Sequence, residues 1–353
     1  MPSRAPNRPR RAGAPATIRD VARDAGVGLA TVSRALSGSP LVLAATRTRV
    51  EQAAARLGYR PSRAARVLRG MPARVIGVMV PDLSHGLYGA WLTSVSEVAQ
   101  RRGYVVVVCD GQYSTGVMTA QLERLFDDRV DGLLLGGSIP APAAIRRFID
   151  AGVPVAPDLT RAVDPRGGDG QPRHRSERAV TAAAYRTLIA LGHRRIAFFD
   201  RPERDSGYIS RLQRMRWECL EAELTAVGAG GGAHCVHAAD GDDCRARAVA
   251  LLRGPQAPTA LVPGIEGFTP MALLAIADAG LRVPGDVSLL GFEDSPWEQA
   301  HQPPISVVRH DYRGIAAALT ENLIARIEGW PSVPAVPEFP SEFVRRGSIA
   351  APP

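Results

Sequence analysis

Residues 17–38 read TIRDVARDAGVGLATVSRALSG, and the rest of the chain is understood from this stretch outward. Thr17 is a good helix N-cap, and Asp20, three positions on, can return a bond to the first turn as in a capping box. Ile18, Val21 and Ala22 then share one helical face. Gly26 breaks the pattern and supplies the left-handed backbone that a Cβ disfavours. A second helix begins near Leu29, with Val32 and either Ala35 or Leu36 inward and Thr31, Ser33 and Arg34 outward. Two short helices across a tight turn make a helix-turn-helix, whose second helix fits a DNA major groove. An ordinary helical hairpin has the same outline, so other features must choose between them.

Charge chooses nucleic acid. Residues 1–73 hold fourteen arginines against Asp20, Asp24 and Glu51, an excess of eleven in a chain of net +8, so the remainder is mildly acidic. A basic head on an acidic body is the electrostatic footprint of nucleic-acid binding. A solvated basic tail would account only for Arg4 to Arg11. All 43 basic residues are arginine, which excludes Schiff-base and P-loop lysine chemistry. The sequence has no nucleotide-binding GxGxxG, no GxSxG and no HExxH, so no enzyme activity and no cofactor is expected. Cys109, Cys219, Cys235 and Cys244 form no CxxC pair, which suits a reduced, cytoplasmic protein. His234, Cys235, Val236 and His237 alternate like a strand, and no metal is expected there. Residues 1–16 read as a disordered basic tail without the apolar stretch of a signal peptide, and no run is long enough to span a membrane.

A third helix is expected from about Ala45 to Leu57, ended by Gly58. Tyr59-Arg60-Pro61 forces an extended turn, because the residue before proline is pushed out of helix. Ser62 can cap the short segment RAARVLR (63–69). From Arg74 onward apolar strands alternate with helices: VIGVMV (75–80), YVVVVCD (104–110), GLLLGG (132–137), VPVAPD (153–158), RIAFFD (195–200), AHCVHA (233–238), TALVPG (259–264) and VSLLGF (287–292). At 353 residues the chain can bury two or three cores. Such strands imply an α/β fold with parallel sheets covered on both faces.

DVARDAGV (20–27), TVSRAL (31–36) and VEQAAARLGYRPSRAARVLR (50–69) resemble the DNA-binding headpiece of the LacI/GalR (lactose-repressor) family. GHRRIAFF (192–199), GLRVPGDVSLLGFED (280–294), QPPISVV (302–308) and FVRRGS (343–348) resemble its regulatory core. The resemblance implies a helix-turn-helix headpiece over 17–60 and a hinge helix and linker over 61–73. It implies a periplasmic-binding-protein-like core over 74–353, made of two α/β subdomains. These take in about 74–160 with 305–329, and about 175–300 with 335–348. It also implies a homodimer on a pseudo-palindromic operator. DNA would be met by Thr17, Leu29, Ala30, Thr31, Ser33, Arg34 and Tyr59, and in the minor groove by Ala65 and Leu68, with Leu68 wedged between base steps. Arg34 can donate two bonds to a guanine. Leu29 and Ala30 have no donors and suit a thymine methyl, while Thr17, Thr31, Ser33 and Tyr59 suit phosphates.

A small-molecule effector is implied between the subdomains, near Tyr88, Asp158, Arg216, Ile265, Glu293 and Trp297, with a sugar or derivative as the first candidate. Counting back from Gly228 and Leu224 puts the pocket arginine at Arg216 rather than a polar group at Gln213. The chain departs from the family pattern at several points. Gly28 stands for a capping serine, Ser176-Glu177 for an aspartate-asparagine pair, Ile265-Glu266 for an asparagine-aspartate pair, and Glu293 for an aspartate. Two of the planar groups that grip a sugar are thereby lost. The function implied is a transcription regulator, more a repressor than an activator. The rivals are a solute-binding protein of a transport system and a regulator that takes no effector.

Overall fold

The computed structural model describes residues 16–36, 39–59, 72–84, 86–137, 139, 141–156, 173–202, 204–205 and 210–353. The chain divides after Ala73 into two compact units.

The first unit holds α1 (Ile18–Ala25), α2 (Leu29–Leu36) and α3 (Ala44–Arg56). The capping box at Thr17 is formed in both directions. Gly26 follows α1 with φ +62°, and the amide of Val27 donates to Ala22 O at 3.0 Å. Val21, Ala25, Val32, Ala35, Val50 and Ala53 are the buried centre, with Ile18, Leu36, Leu57 and Tyr59 packed around it. Alanines at three of those six central positions let short helices approach closely. Of the two inward candidates on α2, Ala35 is buried and Leu36 only partly so. No side-chain bond caps α3 at Leu43.

The second unit contains two sheets. β1 (Val75–Val80), β2 (Val105–Asp110), β3 (Gly132–Leu135) and β4 (Val155–Ala156) run parallel in the order β2-β1-β3-β4. α4 (Gly86–Arg101), α5 (Thr115–Asp127) and α6 (Pro142–Asp150) connect them. After α7 (Arg173–Ala190) the second sheet is built from β5 (Ile196–Asp200), β6 (Ala233–His237), β7 (Ala260–Pro263), β8 (Ser288–Gly291), β9 (Ser306–Arg309) and β10 (Glu342–Val344), in the order β10-β9-β8-β7-β5-β6. Among the described residues only the β9–β10 pairing of this sheet is antiparallel. α7 and α8 (Arg211–Ala226) bury one face of this sheet through Tyr185, Leu188 and Leu220. α9 (Gly241–Leu252) and α10 (Thr269–Asp278) bury the other through Cys244, Ala248 and Ala272. α11 (Pro296–Ala300) is a single turn.

α12 (Tyr312–Ile327) returns to the first sheet, where Ile315, Leu319 and Leu323 join the core under α4. Gly132 permits that return, since a Cβ there would stand 2.7 Å from Ile327 Cδ1. Residues 305–309, expected with the first subdomain, belong to the second sheet instead. Leu290 pairs with Ser306, and Val308 with Phe343, so β9 covers an edge of β8 that would otherwise leave its backbone groups unpaired. The crossing to the first subdomain falls after Arg309. No helix among the described residues is long and apolar enough to cross a membrane.

Candidate DNA-reading face and ligand cleft

α2 presents Leu29, Ala30 and Arg34 to solvent, with Leu29 46 % exposed, while Thr31 and Ser33 are half-buried. An exposed leucine at the first position of a helix contributes nothing to the core, so its apolar surface is available to a base. The Thr17 hydroxyl donates to Asp20 Oδ2 at 2.7 Å and is thus engaged in the cap of α1. Tyr59 packs its ring on the headpiece core, and its amide donates to Ala54 O at 2.8 Å. Ala65, Leu68 and Asp158 lie outside the described residues.

In the second unit α7, α8 and the carboxyl ends of β7, β8 and β9 converge on Arg216. Its guanidinium is 4 % exposed and donates to Glu177 Oε1 through Nη2 (2.8 Å) and Nε (3.2 Å), and to Gly264 O through Nη1 (2.9 Å). Its centre lies 3.8 Å from the Phe292 ring centroid. Burial works against the charge, and Glu177, Tyr312 and Glu293 together more than offset it, leaving the guanidinium above its ordinary value. His310, one residue past β9, sets Nε2 3.4 Å from both Arg216 Nη2 and Glu177 Oε1, and Nδ1 2.9 Å from Ser341 Oγ. Its burial outweighs the Glu177 carboxylate and holds the imidazole below its usual value, hence neutral at pH 7. Tyr185 Oη and Gln213 Oε1, both buried, have no hydrogen-bond partner among the described residues.

The residues named from the sequence are only partly brought together here. Glu293, two residues past β8, is 8 % exposed and acts electrostatically on Arg216. Its neighbour Asp294 is taken by Arg346 at 2.7 Å and Arg309 at 3.4 Å. Ile265 is buried among Phe268, Ala238 and Leu261 and offers no polar group. Trp297 is half-buried on α11. Tyr88 packs inside the first subdomain, edge-on to Trp91 and against Gly137, where a Cβ would come within 2.9 Å of its hydroxyl.

A second set of residues joins the two subdomains. Arg201, just after β5, donates to Asp82 Oδ2 at 2.9 Å, and both side chains are nearly enclosed. Arg201 also donates to Ala239 O and stacks 4.1 Å over the Tyr113 ring. Asp205 accepts from the Gly116 amide and the Ser114 hydroxyl, each at 2.8 Å, at the amino end of α5. Those bonds hold its carboxyl below the ordinary value. The Arg204 amide donates to Tyr113 O at 2.8 Å. Sequence reasoning missed His310, Asp82, Arg201 and Asp205. None stands in a spacing pattern, and their meaning depends on segments over a hundred residues apart or on a crossing between sheets.

Comparison with known proteins gives two matches along the chain. Residues 17–62 match the family described as bacterial regulatory proteins, lacI family, and residues 185–349 match the periplasmic binding protein-like domain. The chain is 30 % identical to the HTH-type transcriptional regulator MalR of Streptomyces coelicolor, over 95 % of this chain and 97 % of that one. It is 29 % identical to the HTH-type transcriptional regulator GalS of Salmonella typhimurium, over 95 % and 96 %. A crystal structure of the Lac repressor bound to ONPG in the repressed state superposes with a TM-score of 0.73 at 26 % identity, covering 95 % of this chain and 100 % of that one.

Proposed function

The chain belongs to the lacI family of bacterial regulatory proteins and is a DNA-binding transcription regulator; we propose that it is a cytoplasmic repressor, acting as a homodimer on a pseudo-palindromic operator under the control of a small effector. The observation that carries the DNA half is α2, which packs Val32 and Ala35 inward and leaves Leu29, Ala30 and Arg34 outward at a strongly basic end of the chain. In this reading Arg34 reads a guanine and Leu29 meets a thymine methyl. Thr31, Ser33, Tyr59 and the N-terminal end of α1 at Thr17 set the register on phosphates. Ala65 and Leu68 would enter the minor groove, as the resemblance of RAARVLR to the family's hinge implies.

The test is binding to DNA selected from a random pool. The logarithm of affinity should fall steeply with the logarithm of salt, by roughly 0.9 per phosphate neutralised. Arg34→Ala should cost about 1–3 kcal/mol at one symmetric pair of bases and relax the preference there. Equal weakening on every sequence would make Arg34 a phosphate contact instead.

The effector half rests on the buried polar cluster around Arg216. Buried Tyr185 Oη and Gln213 Oε1, without partners among the described residues and beside a charged cluster at strand carboxyl ends, suit a small polar molecule. A sugar or derivative is the first class to test, with Glu293 as acceptor and Trp297 as a wall. The second reading, a regulator that takes no effector, is favoured by the Arg216 fork being taken by Glu177 and Gly264. Thermal-shift screening against sugars separates the two: a shift abolished in Glu293→Ala supports the effector, and no shift across the screen supports the second reading.

A further inference from the structure

The parallel register of β5 and β6 sets Asp200 directly beside His237, and Cys235, two residues earlier on β6, projects to the same face. His237 Nδ1 is 2.5 Å from Asp200 Oδ1, and Cys235 Sγ is 3.8 Å from Oδ2. One ligand-type atom from each of the three lies within 4.8 Å of the others. The Asp200 side chain is only 3 % exposed, and its side-chain partners are that imidazole and that thiol, with no arginine paired to it among the described residues. A buried carboxylate without a fixed cation is costly unless something positive joins it.

We propose that Asp200, Cys235 and His237 form a binding site for a divalent transition metal, zinc(II) by the character of its sulfur, nitrogen and oxygen donors. Bonds of roughly 2.0–2.3 Å in a tetrahedron separate such ligand atoms by roughly 3.3–3.8 Å. The sulfur-to-carboxylate distance already meets this. The imidazole must swing back by about an ångström, and its side chain, 56 % exposed, has room to do so. Three protein ligands leave the fourth position to water. A groove of about 620 Å³ lined by His234, Cys235, Val236, His237 and Arg247 runs along the β6 edge of the sheet. Arg247 does not compete for the site, because Asp243 holds its guanidinium at 2.8 Å. Binding releases the thiol proton to solvent, and the metal takes its place on sulfur. The alternation of β6 that argues for a plain strand is the same property that puts Cys235 and His237 on one side.

The probe is cobalt(II) titrated into the reduced, metal-free full chain. The expected result is one equivalent bound with a thiolate-to-cobalt absorption in the near ultraviolet, displaced by zinc(II). Cys235→Ser should abolish that band. His237→Ala, at an exposed position that leaves the fold intact by circular dichroism, should weaken cobalt binding at least about tenfold. No near-ultraviolet band in the wild type, a band that persists in Cys235→Ser, or unchanged affinity in His237→Ala would each overturn the proposal. In those cases His237 is simply the hydrogen-bond partner of Asp200. None of these readouts involves DNA, so the result is independent of the regulatory reading.

Discussion

The Arg216 guanidinium gives one edge to Glu177, another to the Gly264 carbonyl and its face to Phe292. Truncating it strands the Glu177 carboxylate in a site 7 % exposed. Arg216→Ala should therefore destabilise the core by roughly 3–5 kcal/mol in urea unfolding, because a buried carboxylate loses its arginine. Adding Glu177→Gln to that variant should recover a large part of the loss. If the double variant is no more stable than the single, lost packing on Phe292 is the cause. Lysine is no substitute here, since it cannot present a planar fork to both acceptors. Arg216 was legible from counting back along α8, but its partners were not. Glu177 shows in the sequence only as a departure from a family pair, and His310 only as a lone histidine in VVRHDY. A lone side chain has no periodicity, and its neighbours are set by tertiary packing.

Among the elements, α1 shows how much local chemistry the sequence already contains. Thr17 and Asp20 satisfy each other's backbone amides, at 3.4 Å into the threonine hydroxyl and 2.9 Å into the carboxylate. Thr17→Ala should lower headpiece stability by about 0.5–2 kcal/mol, read from the unfolding of full-length protein followed by headpiece hydrogen exchange. An unchanged exchange profile would mean that the cap is dispensable. Strands were equally legible as short apolar runs between turn residues, since a parallel strand covered on both faces needs no alternation. Membership of a sheet was not. SVVR (306–309) is buried over three of its four positions, and such a run fits either sheet. Only pairing with β8 and β10 decides. The antiparallel edge at β10 was hidden for the same reason.

Over the whole molecule, two buried histidines tie stability to pH. Burial holds His193 below its ordinary value despite the Ala350 carbonyl, and it does the same to His310. His193 joins Thr259 Oγ1 and Ala350 O, both at 2.8 Å, and so fastens the C-terminal segment to the second sheet. Folded, both rings are neutral; unfolded, both take up a proton below about pH 6.5. Their contribution is thus complete above that pH and is lost as pH falls beneath it, by at most about 1.4 kcal/mol per pH unit for each ring. Unfolding midpoints should drop between pH 7 and 5, and His310→Gln should flatten the slope. A slope unchanged by that substitution assigns the effect to other groups. The ties from Arg201 to Asp82 and from Asp205 to the amino end of α5 have a different consequence, one of timing. They join the two subdomains at what would be the rim of an effector site, and under the proposed effector control a molecule would enter or leave only when they break. Asp205→Ala should speed hydrogen exchange at the Gly116 amide, and an unaltered rate would show the rim is held elsewhere. With the rim in charge of exchange, arrival and departure slow together while the balance between them stays put. A regulator gated in this way would ignore brief pulses of its effector and answer their running average.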